Sequence, residues 1–158
     1  MRQIRACRAN LEGERIMDIE QARQTLEAEI RGLGYEILYR KNLTGKVTLR
    51  RVFIKSRNGL VELRRIQQCA IPYASTRKSL YIVAHELYHC LYPRYSKKVY
   101  INEMKAEQFA HEKLRELGFA VPHSMTQRAK NYVAWKLSKA RRRGLKKIDS
   151  TVKQWIKP

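Results

Sequence analysis

Apolar positions along this chain change period twice, dividing it into helix, sheet and helix. Between 18 and 31, Ile19, Ala22, Leu26 and Ile30 recur at helical spacing, with Leu33 continuing the stripe. Asp18 is placed to cap the first turn, and Gly32 and Gly34 to end the helix. The pattern then becomes that of strands. Residues 35–40 and 47–56 are rich in β-branched and aromatic side chains, with a turn at 42–45 between them. Asn58-Gly59 predicts a type I′ hairpin into a third strand over 60–71, which Pro72 ends.

Helical spacing returns after Pro72. Ser75 or Thr76 caps a helix reaching Tyr92, with Leu80, Val83, Ala84, Leu87 and Leu91 as its apolar stripe and Pro93 as its stop. A basic loop over 94–100 leads to a helix over 102–117, ended by Gly118. Pro122 and Ser124 or Thr126 open a fourth helix to Arg143, and Asp149 starts a short fifth. This order predicts an α+β domain with a small, mostly antiparallel sheet.

The helix after the sheet carries His85-Glu86-Leu87-Tyr88-His89, an H-E-x-x-H motif. Residues four apart share a helix face. His85 and His89 therefore aim two imidazoles at one metal ion. Glu86 stands beside the open coordination position, where it takes a proton from water. Catalytic zinc normally has three protein ligands and a water, so a third ligand is needed. The next helix offers Glu103, Glu107 one turn on, and His111 two turns beyond Glu103.

H-E-x-x-H followed downstream by Asn102-Glu103-Met104-Lys105-Ala106-Glu107 resembles the gluzincins, the thermolysin-like zinc peptidases. The wider phrase from Glu103 to Phe109-Ala110 looks closer to the small intracellular ImmA/IrrE-type metallopeptidases. The matching stretch runs from about 75 to 122. The resemblance implies a zincin-like fold, Zn2+ held by His85, His89 and Glu103, and Glu86 as general base. It implies that Glu107 hydrogen-bonds a ligand histidine, although the family usually has Asp or Asn there. SprT-like proteases use a third histidine, which keeps His111 as the rival ligand. An oxyanion donor is also needed. His123 is the first candidate, ahead of Tyr88, Tyr92, Tyr95 and Tyr100. In zincins an edge strand before the motif helix pairs with substrate, and 67–73 fits that slot.

Charge changes the setting of the motif. Among 158 residues, 34 Lys and Arg stand against 14 Asp and Glu, a net +20. Such an excess points to a polyanionic partner, nucleic acid first. Between 124 and 158 there are eleven basic residues and one acid, half of the excess. The expected nucleic-acid face is Arg128, Lys136, Lys139, Arg141, Arg142, Arg143, Lys146 and Lys147. A second basic cluster, Arg50, Arg51, Lys55, Arg57, Arg64 and Arg65, falls on the hairpin. Tyr132, Trp135 and Trp155 are interleaved with the basic helices and are expected mainly in the core.

No apolar run approaches the ~18 residues of a membrane-spanning helix. The first residues are charged throughout and lack the apolar segment of a secretory signal. Cys7, Cys69 and Cys90 make neither a disulfide framework nor a C-x-x-C pair, which suits a reducing, cytoplasmic setting. Cys90 is expected as a small buried hydrophobe.

The expected organisation is a disordered leader over 1–17, a zincin-like metallopeptidase domain over 18–122 and a basic helical extension over 123–158. The expected function is that of a zinc-dependent endopeptidase acting on protein or peptide on or near nucleic acid. The alternative is a nucleic-acid-binding protein, of a phage or mobile element for example, whose zinc site is structural or latent.

Overall fold

The computed structural model describes residues 17–55, 57–59, 61–93 and 96–157. Residues 1–16 of the expected 1–17 leader, Cys7 among them, and Tyr95 lie outside them. Over the described residues the chain is α+β, with five helices and one three-stranded mixed sheet. Helix α1 (Ile19–Gly32) opens with a reciprocal capping box. The Asp18 carboxylate accepts from the Gln21 amide, and the Gln21 side chain accepts from the Asp18 amide. Gly34, at φ +83°, lets the chain leave the helix, because a left-handed φ costs glycine little. Ala22, Leu26 and Ile30 are fully buried, whereas Leu33 sits past the last helical turn and is exposed.

Strands β1 (Glu36–Arg40), β2 (Lys46–Lys55) and β3 (Val61–Pro72) lie in the order β1-β3-β2. β1 runs parallel to β3 and β2 antiparallel to it. The sheet therefore differs from the sequence expectation in two ways. β3 is central: residues 68–70 have β1 on one side and β2 on the other, so 67–73 is not a free edge. The open edge beside the motif helix belongs to β2. The type I′ turn does not form either. Pairing stops at Lys55–Val61, and of the described residues only glycines take positive φ, so Asn58 does not supply the left-handed conformation that turn needs.

Because β1 and β2 flank β3, the 41–45 connection must cross the C-terminal end of β3. It ends beside helix α2 (Arg77–Leu91), which follows that strand after a short link. Thr76 and Ser79 cap α2 reciprocally. Every residue from Ser79 to Tyr88 is buried, with the sheet and α1 on one side and helix α3 (Val99–Glu116) on another. Leu91, expected on the apolar stripe, is exposed where the helix leaves the core. Cys90 is buried as expected, beside Cys69, and both are free thiols.

Helix α4 (His123–Arg142) packs on α3. Its Met125 joins the main core, while Val133 and Leu137 join Tyr100, Met104 and Val152 of helix α5 (Ser150–Trp155) in a second cluster. Trp155 packs on that cluster, but Trp135 is 46% exposed. Among the described residues no helix is long and apolar enough to cross a membrane.

Candidate metal centre

Burial of α2 on all sides forces its polar motif side chains to find partners inside the protein. His85 and Glu86 are 8% and 6% exposed, and α3 presents Glu103 and Glu107 to them, 8% and 6% exposed. The histidine Nε2 atoms of His85 and His89 stand 3.2 Å apart. Glu103 Oε2 lies 3.4 Å from the first and 3.6 Å from the second. A tetrahedral zinc with bonds of about 2.0–2.1 Å would separate any two of its ligand atoms by roughly 3.3–3.4 Å. The triangle thus has the dimensions of three vertices around one ion, and among the described residues these three form the one such cluster.

His85 is oriented from behind. Its Nδ1 is 3.3 Å from Glu107 Oε1, and the Tyr81 hydroxyl donates to Glu107 Oε2 at 2.5 Å. Holding the proton on Nδ1 leaves the Nε2 lone pair for a metal. The longer glutamate in place of Asp or Asn therefore still reaches the histidine. Tyr81 was not foreseen as part of the site, although it sits four residues before His85 on the same helix face.

The electrostatics follow from this crowding. Burial opposes charge on His85, but its bonds to Glu103 and Glu107 outweigh burial and push its pKa up to about 10. Burial also opposes charge on Glu103, yet bonds from His85 and His89 hold its carboxyl well below the usual range. Glu86 is different. Burial raises its pKa, with the two histidines pulling against that shift. A raised carboxylate pKa suits a general base that must later give its proton back. Burial, with the Glu107 charge, drives the Tyr81 phenol far upward, so it remains a donor.

A cleft opens over these atoms in two lobes that share Gly45, His85, Glu86 and Tyr132. The inner lobe, about 190 Å³, adds Thr44, Glu107 and Arg128. The outer, about 390 Å³, adds β2 residues Lys46, Val47 and Leu49 with His89, Glu103 and Lys136. The crossover and β2 form one wall and α4 the other. Arg128 Nη2 donates to the Leu43 carbonyl at 3.2 Å, tying the two walls together.

The remaining expected residues are distributed as follows. His111, on α3, lies edge-on to Tyr81 and outside the ligand triangle, its Nε2 buried without a hydrogen-bond partner among the described residues. Glu103 rather than His111 completes the cluster. His123 is exposed at the start of α4, in a shallow depression with Trp135, and does not line the cleft. Tyr88 packs among His89, Tyr92 and Phe109, while Tyr100 is in the second core cluster. Of the two tyrosines that line the cleft, Tyr81 is engaged with Glu107 and Tyr132 lies in both lobes. Its ring is stacked on Trp135, and burial raises its phenol pKa. Lys136, expected on the outer cationic face, instead points inward, with Nζ 3.1 Å from Glu103 Oε1. Lys139 lies over the Trp135 ring at 3.6 Å. Arg141, Arg142, Arg143, Lys146 and Lys147 are exposed, as are Arg50, Arg51, Lys55, Arg57 and Arg65 on the hairpin.

Comparison with protein-family models, curated proteins and solved structures finds no match to this chain.

Proposed function

We propose that the chain is a zinc-dependent endopeptidase of zincin-like architecture, working in the cytoplasm on protein substrates on or near nucleic acid. The observation that carries the reading is the triangle of His85 Nε2, His89 Nε2 and Glu103 Oε2, with sides of 3.2, 3.4 and 3.6 Å, next to a buried Glu86. Bound zinc supplies Lewis acidity at the scissile carbonyl and acidifies a water. Glu86 takes the proton of the attacking water and passes it to the leaving amine. Glu107, held by Tyr81, fixes the His85 ring. Tyr132, facing Glu86 across the cleft, is the donor placed to stabilise the tetrahedral oxyanion. An extended peptide would pair with the open edge of β2, whose Lys46–Leu49 segment runs along the outer lobe.

The partner reading rests on the exposed run of Arg141, Arg142, Arg143, Lys146 and Lys147 in a chain of net +20. Such side chains bind phosphates without reading sequence, with an affinity that falls steeply as salt rises.

The test is Glu86→Gln in the zinc-loaded protein, assayed on an unstructured polypeptide. Cleavage should fall by at least about 10²-fold, the scale of general-base catalysis, while zinc content and thermal stability hold. No cleavage by the zinc-loaded wild type would sink the enzyme reading and leave a structural zinc site in a nucleic-acid-binding protein, and equal cleavage by both proteins would remove Glu86 as the base. Failure to shift a DNA fragment at low salt would remove the nucleic-acid partner.

A further inference from the structure

Lys136 lies at the mouth of the cleft. Its side chain is 22% exposed, Nζ is 3.1 Å from Glu103 Oε1, and the same nitrogen sits 4.9 Å from the Tyr132 ring centroid. The two oxygens of Glu103 are therefore divided. Oε2 faces the Nε2 atoms of His85 and His89. Oε1 is turned away from them, and Lys136 is its hydrogen-bond partner.

A carboxylate can ligate a metal through one oxygen or through both. Two-oxygen binding adds a fifth donor atom beside the three ligand atoms and the water, and crowds the position the water needs. Turning Oε1 to the metal would break a charge-assisted hydrogen bond inside a largely buried cleft, where such bonds are strong. We infer that Lys136 is a positioning residue that holds Glu103 as a one-oxygen ligand and so keeps the fourth position open. This rests on the zinc reading of the site. It also explains why one lysine of a strongly basic helix points inward. A compact ammonium fits the single oxygen on offer.

Co2+ put in place of zinc reports the coordination number, since four-coordinate Co2+ absorbs visible light several-fold more strongly than five-coordinate Co2+. Wild type, Lys136→Met and Lys136→Arg are titrated with Co2+, and circular dichroism confirms that each is folded. Wild type should give the intense four-coordinate spectrum. Lys136→Met should lose several-fold in absorbance per bound ion as Oε1 joins the metal. Lys136→Arg, which keeps a cation on Oε1, should retain the wild-type spectrum. The same spectrum in all three proteins overturns the inference and leaves the zinc reading intact, as does loss of the intense spectrum in both variants. A Lys136→Met protein that binds no Co2+, beside a Lys136→Arg protein that binds as wild type does, overturns it, because Oε1 has then not joined the metal. A wild-type protein that binds neither Co2+ nor zinc overturns both readings.

Discussion

Replacing Gly45 with alanine should disable the site without touching a metal ligand. Gly45 ends the crossover between β1 and β2, with its Cα against the Glu86 side chain. A Cβ built there would fall 2.5 Å from Glu86 Cδ, and would also collide with Cγ and Oε1. Carbon atoms pack best near 3.5–4.0 Å, so the overlap is about 1 Å. Backbone conformation is not the obstacle, since Gly45 is not among the glycines of positive φ. The added methyl is thus the whole perturbation. Glu86 is 6% exposed, so its carboxylate can move only within the cleft that it lines. Either its carboxylate shifts by about 1 Å or the crossover lifts from the site. A displacement of that size costs on the order of 10²-fold in rate, and overpacking costs about 1–3 kcal/mol of stability. The assay is kcat on an unstructured polypeptide, with zinc affinity and chemical denaturation measured on the same sample. The expected result is a kcat about 10²-fold lower, near-unchanged zinc affinity and a modest loss of stability. Wild-type kcat together with wild-type stability would refute the claim that the crossover presses on Glu86.

Other changes separate the supporting parts. Glu107→Ala should weaken zinc binding by about 10–100-fold by freeing the His85 ring, as read by competition with a chelating dye. Thr76→Ala removes the hydroxyl that accepts from the Ser79 amide and should cost about 1 kcal/mol in urea denaturation, with zinc affinity unchanged. His111 gives a pH signature. Burial holds its pKa below the unfolded value of 6.5, against the pull of Glu107. The unfolded chain therefore takes up the proton first. The contribution of neutral His111 is complete above pH 6.5 and is lost as pH falls toward the lower folded value. His111→Leu should flatten the stability profile of the metal-free protein in that acidic window, and an unchanged slope would contradict the assignment.

What the sequence made legible was local. The Asp18 cap, the Thr76 cap, the motif spacing on α2 and the Glu103–Glu107 pair all depend on residues within two turns of one another, and each is found where its spacing placed it. Non-local pairing was not legible. Nothing in the 35–40 stretch announces that it pairs parallel to β3, yet that pairing makes β3 central and moves the open edge to β2. Gly45 read as an ordinary turn residue, because its closeness to Glu86 exists only once the crossover is formed. Tyr132 and Lys136 sat on a helix whose composition suggested an outer cationic face. Packing of Val133 and Leu137 against α3 rotates their neighbours Tyr132 and Lys136 toward Glu103. Tyr81 was within reach of periodicity, four residues before His85, but its role depends on Glu107 arriving from α3.

Zinc titration of the metal-free wild type beside Glu103→Ala and His111→Ala tests the central claim most directly. One tightly held zinc per wild-type chain is expected, with binding lost or greatly weakened in Glu103→Ala and retained in His111→Ala. A wild type that takes up no zinc, or a site that survives Glu103→Ala and fails in His111→Ala, would contradict the account.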